Sequence, residues 1–333
     1  TGLADTMGPG KIEGAGAALD RERACVKALG ESTERYAAGF PPTRTVFGPA
    51  DGLDVPHVPP GAFALFSAEQ HALAAVPFEP FTTGTPVLWE PATGLADGRD
   101  IWVPSCFVRF PYRRGAGEAR LATSISTGLA AGTWLPDALV SAVCEVVERD
   151  AFMLFWRHER QVPPIDLQSL PDDPHQRLLG ALQDAGLHCA ALLITQDIHV
   201  PVVLVRLGAA DGGPPYVLLA AGAHPDPLRA CQLALEEACL CVFGTRRLRQ
   251  RLGDLELGDP EKLNTLTKQA LAFGYDPSYQ KEADALLSGH GAPLDATGLR
   301  ALFPAPTAAA APGFRTLDRL VDALGPWARD ACY

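Results

Sequence analysis

The sequence has no apolar run close to the roughly 18–20 residues that a membrane-spanning helix needs, which argues against a membrane protein. It also has no lysine- or arginine-rich run, and its formal net charge is −11. Both features argue against a nucleic-acid-binding protein. No signal peptide is recognisable at the first residue, Thr1. These absences predict a cytoplasmic protein, although the sequence does not begin with Met.

A P-loop is excluded as well, because the sequence contains no Gly-x-x-x-x-Gly-Lys-Ser/Thr motif. The eight cysteines are scattered, and only Cys239 and Cys241 lie close together, two residues apart. Without a second Cys or His pair at zinc spacing, we interpret the cysteines as buried free thiols of a reducing compartment. Hydrophobic residues make up 47% of the 333 residues, which indicates one large globular domain or two small ones.

The most informative segment covers residues 126–150, where a loop of small residues leads into a helix. Pro136 suits the first helical turn, and Glu145 and Glu148 project from one helix face because they are three residues apart. Their neighbours are apolar on nearly every side, which indicates a buried helix. Buried carboxylates without partners are costly, so we expect Arg149, a metal ion, or both to compensate them.

A similar segment occurs 114 positions earlier in the sequence. The residues that coincide after this shift include Gly14 and Gly128, Glu31 and Glu145, Glu34 and Glu148, and Arg35 and Arg149. Each copy is a glycine- and alanine-rich loop followed by a helix that is expected to end in Glu-x-x-Glu-Arg. We interpret the pair as an internal duplication, which would place two carboxylate pairs on facing helices around one centre.

The chemistry of such a centre favours a hard divalent cation. A single Glu-x-x-Glu-Arg is weak evidence, because glutamate–arginine pairs are common on solvated helices. Two copies in matching surroundings would gather four carboxylates, whose repulsion a cation would relieve. Mg²⁺ combines one or two carboxylates with substrate phosphates, and the arginines add donors for phosphate oxygens. The loops at residues 14–18 and 127–133 are also suited to backbone N–H contacts with phosphate.

These segments resemble the signature of the YcaO family. Ser126-Thr-Gly-Leu-Ala-Ala-Gly followed by Glu145-Val-Val-Glu-Arg-Asp-Ala resembles the central part of that signature, and Glu31-Ser-Thr-Glu-Arg-Tyr resembles the first glutamate motif. Ala234-Leu-Glu-Glu-Ala, after Gly222-Ala-His, resembles the third motif. The motifs occur in the family's order and extend from about Gly14 to Arg246.

The resemblance implies an α+β fold of YcaO type, with an internal duplication and with mixed or antiparallel sheets and helices around a central Mg-ATP site. It implies one YcaO domain over residues 1–333. The core motifs would lie in about residues 14–250, and a peripheral helical region and C-terminal tail in about 255–333.

The resemblance also implies a set of site residues, whereas it leaves the catalytic residue unassigned. The glutamates of the three motifs would hold Mg²⁺: Glu31, Glu34, Glu145, Glu148 and Glu237. The residues implied to contact ATP are Arg35, Ala130, Thr133, Asp137 and Arg149. His224, beside the end of a predicted strand, is interpreted as a core or capping histidine rather than a catalytic group.

The activity implied by the resemblance is ATP-dependent activation of a backbone amide in a ribosomally made precursor peptide. A neighbouring Cys, Ser or Thr of the substrate would give a thiazoline or oxazoline. External sulfide would give a thioamide, and the N-terminal amine of the peptide a macrocyclic amidine. Azoline-forming members commonly carry a Pro-x-Pro-x-Pro tail, whereas this sequence ends Pro326-Trp-Ala-Arg-Asp-Ala-Cys-Tyr, which leaves the other nucleophiles open.

The partners expected from the resemblance are the precursor peptide and a separate leader-peptide-binding protein or domain. Homodimerisation is compatible with the sequence, and neither nucleic acid nor a membrane is expected. A catalytically silent scaffold subunit is the alternative from a different class. The intact glutamates argue against this alternative, and ATP consumption with a peptide substrate distinguishes the two.

Hydrophobic periodicity and breaker residues predict the order of the secondary structure elements. Helices are expected over residues 20–38, 175–185, 228–252, 259–273, 279–287 and 316–324, in addition to the central helix that has Pro136 in its first turn and carries Glu145 and Glu148. Strands are expected at 87–89, 101–104 and 106–110, followed by a meander of three strands at 189–194, 200–207 and 216–221. The proline- and glycine-rich residues 41–62 are expected to be loop, and residues 304–312 a linker.

Overall fold

The chain folds into two antiparallel sheets with helices packed against them, as described by a computed structural model for residues 14–40, 43–252, 266–304, 312–329 and 331–333. This confirms the α+β class. The predictions that fall on residues 1–13 and most of those on the linker at 304–312 lie outside the described residues.

The smaller sheet contains three strands in the order β1-β2-β3, and the larger contains four in the order β4-β5-β6-β7. Their bounds are β1 (Val46–Gly48), β2 (Val87–Thr93), β3 (Asp100–Pro104), β4 (Pro164–Ile165), β5 (Leu187–Leu193), β6 (Val202–Ala209) and β7 (Leu218–Ala223). All neighbouring strands are antiparallel, and β5, β6 and β7 form the predicted meander.

The helices of the described residues are α1 (Arg21–Ala38), α2 (Ala68–His71), α3 (Leu135–His158), α4 (Arg177–Asp184), α5 (Pro227–Leu252), α6 (Leu266–Tyr275), α7 (Gln280–Leu286), α8 (Ala296–Leu302) and α9 (Pro312–Leu324). Two of the long helices begin at aspartates that accept backbone N–H groups. Asp20 accepts from Arg23 at 2.7 Å, and Asp226 accepts from Leu228 at 3.0 Å. Such caps satisfy donors that the first helical turn leaves without partners.

The larger sheet is buried on both faces, which explains the continuous apolar sequence of β6. Val203 and Val205 pack in a cluster with α4, α5 and α8, whereas Val202 and Leu204 pack in a second cluster with α3, α7 and α9. All four valine and leucine side chains are at most 1% exposed. The fold therefore places α3 and α5 on opposite faces of one sheet, and both helices are anchored in its core.

One strand prediction is wrong. Residues 106–110 were expected to form a strand, but β3 ends at Pro104 and a turn follows at Ser105–Phe107. The turn brings Arg109 back to Glu90 of β2, which is 2% exposed and contacts the guanidinium at 2.5 and 3.1 Å. Pairing with this buried carboxylate outweighs the β propensity of the segment, because an unpaired buried charge is costly.

Short elements are the other differences from the expectation. Strand β1 forms within the proline-rich segment that was expected to be loop, and helix α8 was not expected. The C-terminal residues, whose sequence differs from the Pro-x-Pro-x-Pro tail, run beside the end of β2. The backbone groups of Tyr333 and Thr93 exchange hydrogen bonds of 2.6 and 2.9 Å there. No helix of the described ranges is long and apolar enough to cross a membrane.

Gly222 of β7 allows the larger sheet to approach α5 closely. A Cβ atom at this position would lie 2.4 Å from the backbone nitrogen of Ala234 and 2.6 Å from the carbonyl oxygen of Ala230. Both atoms belong to the helix backbone, which cannot move aside as a flexible side chain could. The small residue therefore sets the distance between the strand and the helix.

We predict that Gly222→Ala lowers the free energy of unfolding by about 1–3 kcal/mol, because the added methyl group overpacks this contact. Gly180→Ala is the matched control, since a Cβ at Gly180 in α4 meets no atom within 4 Å. The control substitution is expected to stabilise the helix by about 0.5–1 kcal/mol. Urea denaturation measures both changes, and a Gly222→Ala variant as stable as the parent would contradict the prediction.

Candidate functional site

Helix α1 directs its acidic motif inward and exposes apolar side chains on the opposite face. Glu31 and Arg35 form an ion pair in which the guanidinium contacts the carboxylate at 2.5 and 3.1 Å. The second oxygen of Glu31 accepts the backbone N–H of Ala15 at 2.5 Å. On the outer face, Val26 is 60% exposed and Leu29 is 67% exposed. The position of α1 is therefore set by its polar side.

The acidic motif of α3 is held by two different parts of the backbone. Glu145 accepts a hydrogen bond from the N–H of Gly128 at 3.4 Å. The backbone N–H of Ala223, the last residue of β7, lies near enough to the Glu148 carboxylate to lower its pKa. The loop before α3 and the end of the larger sheet thus meet at the same pair of carboxylates.

The two acidic motifs share a local geometry. A Cβ at Gly14 would lie 2.4 Å from the Ser32 side chain on α1, and a Cβ at Gly128 would lie 3.1 Å from the Val146 side chain on α3. These pairs coincide after the same shift of 114 residues. Gly128 also has φ of +88°, a left-handed conformation that favours glycine. In both copies the loop that contains the glycine packs against the helix that follows it. This likeness agrees with an internal duplication, which stays a prediction.

Helix α5 supplies two consecutive glutamates that differ in environment. Glu236 is 2% exposed and is held by Lys27 of α1 and by Gln232, whose Nε2 donates at 2.8 Å. Glu237 keeps contact with solvent, yet neighbouring atoms surround it closely enough to raise its pKa. We interpret this combination as the environment of a cleft wall, where a group is accessible from one side only.

The carboxylates of the three motifs are close enough to affect one another's ionisation. Burial and then the charge of Glu145 raise the pKa of Glu34 to about 7. Burial likewise raises the pKa of Glu148 to about 7, with further contributions from Glu145 and Glu237 and an opposing one from Arg149. The acidic residues of α1, α3 and α5 therefore lie near enough to interact electrostatically, and their role as metal ligands stays a prediction.

Positive groups balance only part of this charge. Burial raises the pKa of Glu145, against the effects of Arg149, Arg35 and the Gly128 N–H. Burial and then Glu31 raise the pKa of Glu237, against Lys27 and Arg149. The net upward shifts mean that desolvation and mutual repulsion outweigh the neighbouring cations.

The predicted residues Ala130 and Thr133 belong to the loop whose Gly128 contacts Glu145, whereas Asp137 lies at the start of α3. Ala130 is half-buried and Thr133 is exposed in the loop before α3, and Ala131 between them lies beside Gly30 of α1. Asp137 is exposed in the first turn of α3, eight residues before Glu145 and therefore about 12 Å away along the axis. A carboxylate there also suits the helix dipole. The nucleotide contacts of these residues stay predictions.

The donor set fits a hard divalent cation that arrives with a ligand. Its oxygen atoms are of the kind that Mg²⁺ prefers, and the uncompensated negative charge favours a cation. Among the residues that the structure describes, however, no three His, Cys, Asp or Glu side chains form a ready ligand group. Mg²⁺ usually takes one or two protein carboxylates and completes its shell with phosphates and water. The arrangement therefore matches a cation shared with a phosphate ligand better than an all-protein metal site.

Lys27 and Glu236 are the site-proximal residues that sequence reasoning missed. Their ion pair joins residues 209 positions apart, which no local pattern indicates. The consecutive glutamates in the apolar sequence Ala234-Leu-Glu-Glu-Ala were a usable signal, because two adjacent carboxylates on a buried helix both need partners. His224 acts locally, since its Nδ1 accepts the N–H of Asp226 at 2.9 Å, and burial lowers its pKa to about 4.

Solved structures with a similar fold include several enzymes and complexes. A heterocyclase in complex with substrate and cofactor superposes with a TM-score of 0.70 at 21% identity, covering 93% of this chain and 40% of that one. YcaO from Methanopyrus kandleri bound with AMPPCP and Mg²⁺ has a TM-score of 0.64 at 20% identity, covering 94% and 70%. The E. coli microcin synthetase McbBCD complex with pro-MccB17 bound has a TM-score of 0.61 at 15% identity, covering 92% and 74%.

Two curated sequences are also similar. An uncharacterized protein of Methanothermobacter thermautotrophicus is 26% identical over 264 residues, which cover 76% of this chain and 64% of that protein. An uncharacterized protein in the tfuA 3′ region of Rhizobium leguminosarum bv. trifolii is 30% identical over 185 residues, covering 50% and 44%. The matched part thus spans less than two thirds of either relative.

A family model matches nearly the whole chain. Its description is "YcaO cyclodehydratase, ATP-ad Mg2+-binding", and the match covers residues 15–324. The match includes all three acidic motifs and the larger sheet between them. The family is thus described as binding both ATP and Mg²⁺, in agreement with the donor set at the acidic centre. This chain belongs to the YcaO family.

Proposed function

We propose that this chain is an ATP- and Mg²⁺-dependent enzyme that modifies a ribosomally synthesised precursor peptide by activating a backbone amide. The reaction we propose is cyclodehydration of Cys, Ser or Thr to a thiazoline or oxazoline. The observation that carries the proposal is the convergence of five glutamates from three helices on one centre: Glu31, Glu34, Glu145, Glu148 and Glu237. The family description and the similar heterocyclase structures support the reaction class.

The proposed reaction converts a peptide amide to a C=N bond in three balanced changes. The thiol or hydroxyl of a Cys, Ser or Thr side chain adds to the preceding amide carbon and loses its proton. The amide oxygen accepts the γ-phosphoryl group of ATP, which leaves ADP. The phosphorylated oxygen then departs as phosphate while the amide nitrogen loses its proton, so that the peptide loses one water in total.

The residues of the acidic centre would supply position and charge rather than covalent chemistry. Bound Mg²⁺ would neutralise the charge of the phosphates and orient them, and the glutamates of the three motifs would hold it. The arginines that follow the acidic pairs, Arg35 and Arg149, lie beside these carboxylates and have donors suited to phosphate oxygens. The loop at residues 127–133 brings backbone N–H groups to the same place, which suits the anionic ligand.

The expected substrate is a precursor peptide in the cytoplasm, recognised with the help of a separate leader-binding protein or domain. The similarity to a microcin synthetase complex with a bound pro-peptide supports this partner class. A homodimer is part of the proposal as well. We also propose that residues 14–250 carry the core motifs of one domain and that residues 255–333 are peripheral.

Mass spectrometry of a co-expressed precursor peptide tests the reaction class. Loss of one water per modified residue is the expected result, and it requires ATP in a reconstituted reaction. Exchange of oxygen for sulfur would instead identify a thioamide product. Loss of one water with ring closure through the N-terminal amine would identify an amidine. A chain that consumes no ATP with any peptide would support the scaffold alternative and overturn the proposal.

We predict that Glu145→Gln abolishes turnover without unfolding the chain. The amide keeps the shape of the side chain but removes one anionic ligand, and losses of 10²-fold or more are expected for a group that positions the phosphates. The variant is also expected to be more stable than the parent above neutral pH in the absence of ligand, because it removes a desolvated charge. Peptide-dependent ATP hydrolysis and thermal denaturation are the measurements.

Glu69→Gln is the matched control for this prediction. Glu69 lies in the short helix α2, is fully exposed and carries no role in the acidic centre. This control is expected to keep the activity of the parent. An active Glu145→Gln variant would remove the central support for the proposed site.

We also predict that the affinity for Mg²⁺ with a non-hydrolysable ATP analogue rises with pH between 6 and 8. Glu34 and Glu148 have pKa values of about 7 in the folded chain and must lose their protons to bind a cation. Each group then contributes roughly tenfold to the affinity change over that range. Isothermal titration calorimetry at pH 6.5 in two buffers should show proton release, which disappears near pH 8.5.

The same pKa values fix the sign of the stability change without ligand. Both values exceed the ordinary 4.5, so the folded chain binds more protons than the unfolded chain between about 4.5 and 7. The stability that these two groups contribute is complete below that interval and is lost as the pH rises through about 7.

In the calorimetric experiment, binding of Mg²⁺ with the ATP analogue without proton release at pH 6.5 would contradict the assignment of these carboxylates as ligands.

A further inference from the structure

Lys27 and Glu236 form an ion pair between helices that are remote in the sequence. The ammonium of Lys27 on α1 contacts the carboxylate of Glu236 on α5, whose side chain is 3% exposed compared with 30% for Lys27. Gln232 donates a second hydrogen bond to the same carboxylate at 2.8 Å. The charge of Glu236 is therefore almost completely removed from water; Lys27 compensates it by direct contact, and Arg229 of α5 also acts on it.

The pair lies directly beside the acidic centre on both helices. On α1, Lys27 precedes Glu31 by one helical turn and shares its face. On α5, Glu236 precedes Glu237 by one residue. Lys27 also opposes the upward pKa shift of Glu237, which indicates that its charge reaches the centre itself.

Helix α1 has a different attachment from the other two acidic helices. Helices α3 and α5 pack in the core on the two faces of the larger sheet. Contacts of α1 with the rest of the chain include those with loops: residues 14–16 lie against it, Gly30 lies beside Ala131, and Ala38 O accepts the N–H of Phe110 at 3.3 Å. A polar link from α1 to α5 thus joins a helix held by loops to one anchored in the core.

We propose that Lys27 and Glu236 are positioning residues, whose ion pair holds the carboxylates of α1 opposite Glu237 of α5. The pair sets the distance between two halves of the acidic centre without touching the reacting atoms. The identity of the ligand, Mg²⁺ with ATP, rests on the proposed function, whereas the effect on the position of α1 does not.

Three variants test the proposal: Lys27→Met, Glu236→Gln and the double variant. Each single variant is expected to weaken binding of Mg²⁺ with AMPPCP roughly tenfold, as for other residues that orient metal ligands. In the ligand-free chain, each should speed amide hydrogen exchange in α1 while exchange in the larger sheet keeps the parent rate. Lys27→Met should be the less stable single variant, because the buried Glu236 carboxylate loses its contacting cation and keeps only the influence of Arg229.

The double variant separates positioning from the cost of a buried charge. Removing both charges should restore the stability that Lys27→Met loses, since no uncompensated carboxylate remains. Ligand affinity and α1 exchange should stay as impaired as in the single variants, because the link between the helices is still absent. Lys27→Arg, which keeps the charge and the reach of the side chain, should restore both.

Asp284→Asn is the matched control. It breaks the ion pair between Arg206 of β6 and Asp284 of α7, which lies in the larger sheet region away from the acidic motifs. This variant should bind Mg²⁺ with AMPPCP as the parent does.

Parent-like ligand affinity together with parent-like α1 exchange in Lys27→Met and Glu236→Gln would overturn the proposal. So would faster exchange throughout the chain with unchanged affinity, because that result describes a general loss of stability. If the parent chain itself binds no Mg²⁺ with AMPPCP, the proposed function fails. The exchange rate of α1 in the ligand-free variants then decides the positioning role by itself.

Discussion

The repulsion among carboxylates that share a poorly hydrated centre is the interaction on which the functional part of this structure depends. Burial first, and then the charges of neighbouring glutamates, raise the pKa values of Glu34 and Glu148 to about 7, and the nearby arginines offset this rise only in part. A fold that keeps such groups together must hold them by other means, because the groups themselves favour separation. The antiparallel sheet and its two helical layers provide that restraint for α3 and α5, whereas α1 is restrained by loops and by Lys27.

This arrangement explains why the acidic centre and the hydrophobic core are built from the same elements. Helix α3 packs Val147 and Phe155 into the core at 2% and 0% exposure, while Glu148 lies between them along the sequence and turns to the end of β7. The backbone N–H of Ala223 acts on Glu148 and thereby places the end of the larger sheet beside the centre. A change in the packing of the larger sheet would therefore reach the carboxylates of the centre through one strand end and one helix.

The features with a local signature could be predicted from the sequence. The helices that carry Glu-x-x-Glu-Arg, the apolar run of β6 and the grouping of the acidic residues all follow from periodicity and from the cost of buried charge. Features set by distant contacts could not. The turn after β3 depends on the pairing of Arg109 with Glu90, and the α1–α5 link depends on residues 209 positions apart. In both cases a buried carboxylate forms an ion pair with a residue that only the tertiary structure brings near.

The desolvated glutamates of α3 also determine how the chain would respond to artificial selection. Residues whose burial opposes folding are the ones that a screen for heat resistance replaces first, if the screen ignores activity. Glutamine or apolar residues would then replace Glu145 and Glu148. The chain would gain heat resistance and lose the proposed ligand site. Members of such a library with the highest melting temperatures would therefore be the poorest starting points for engineering the proposed activity.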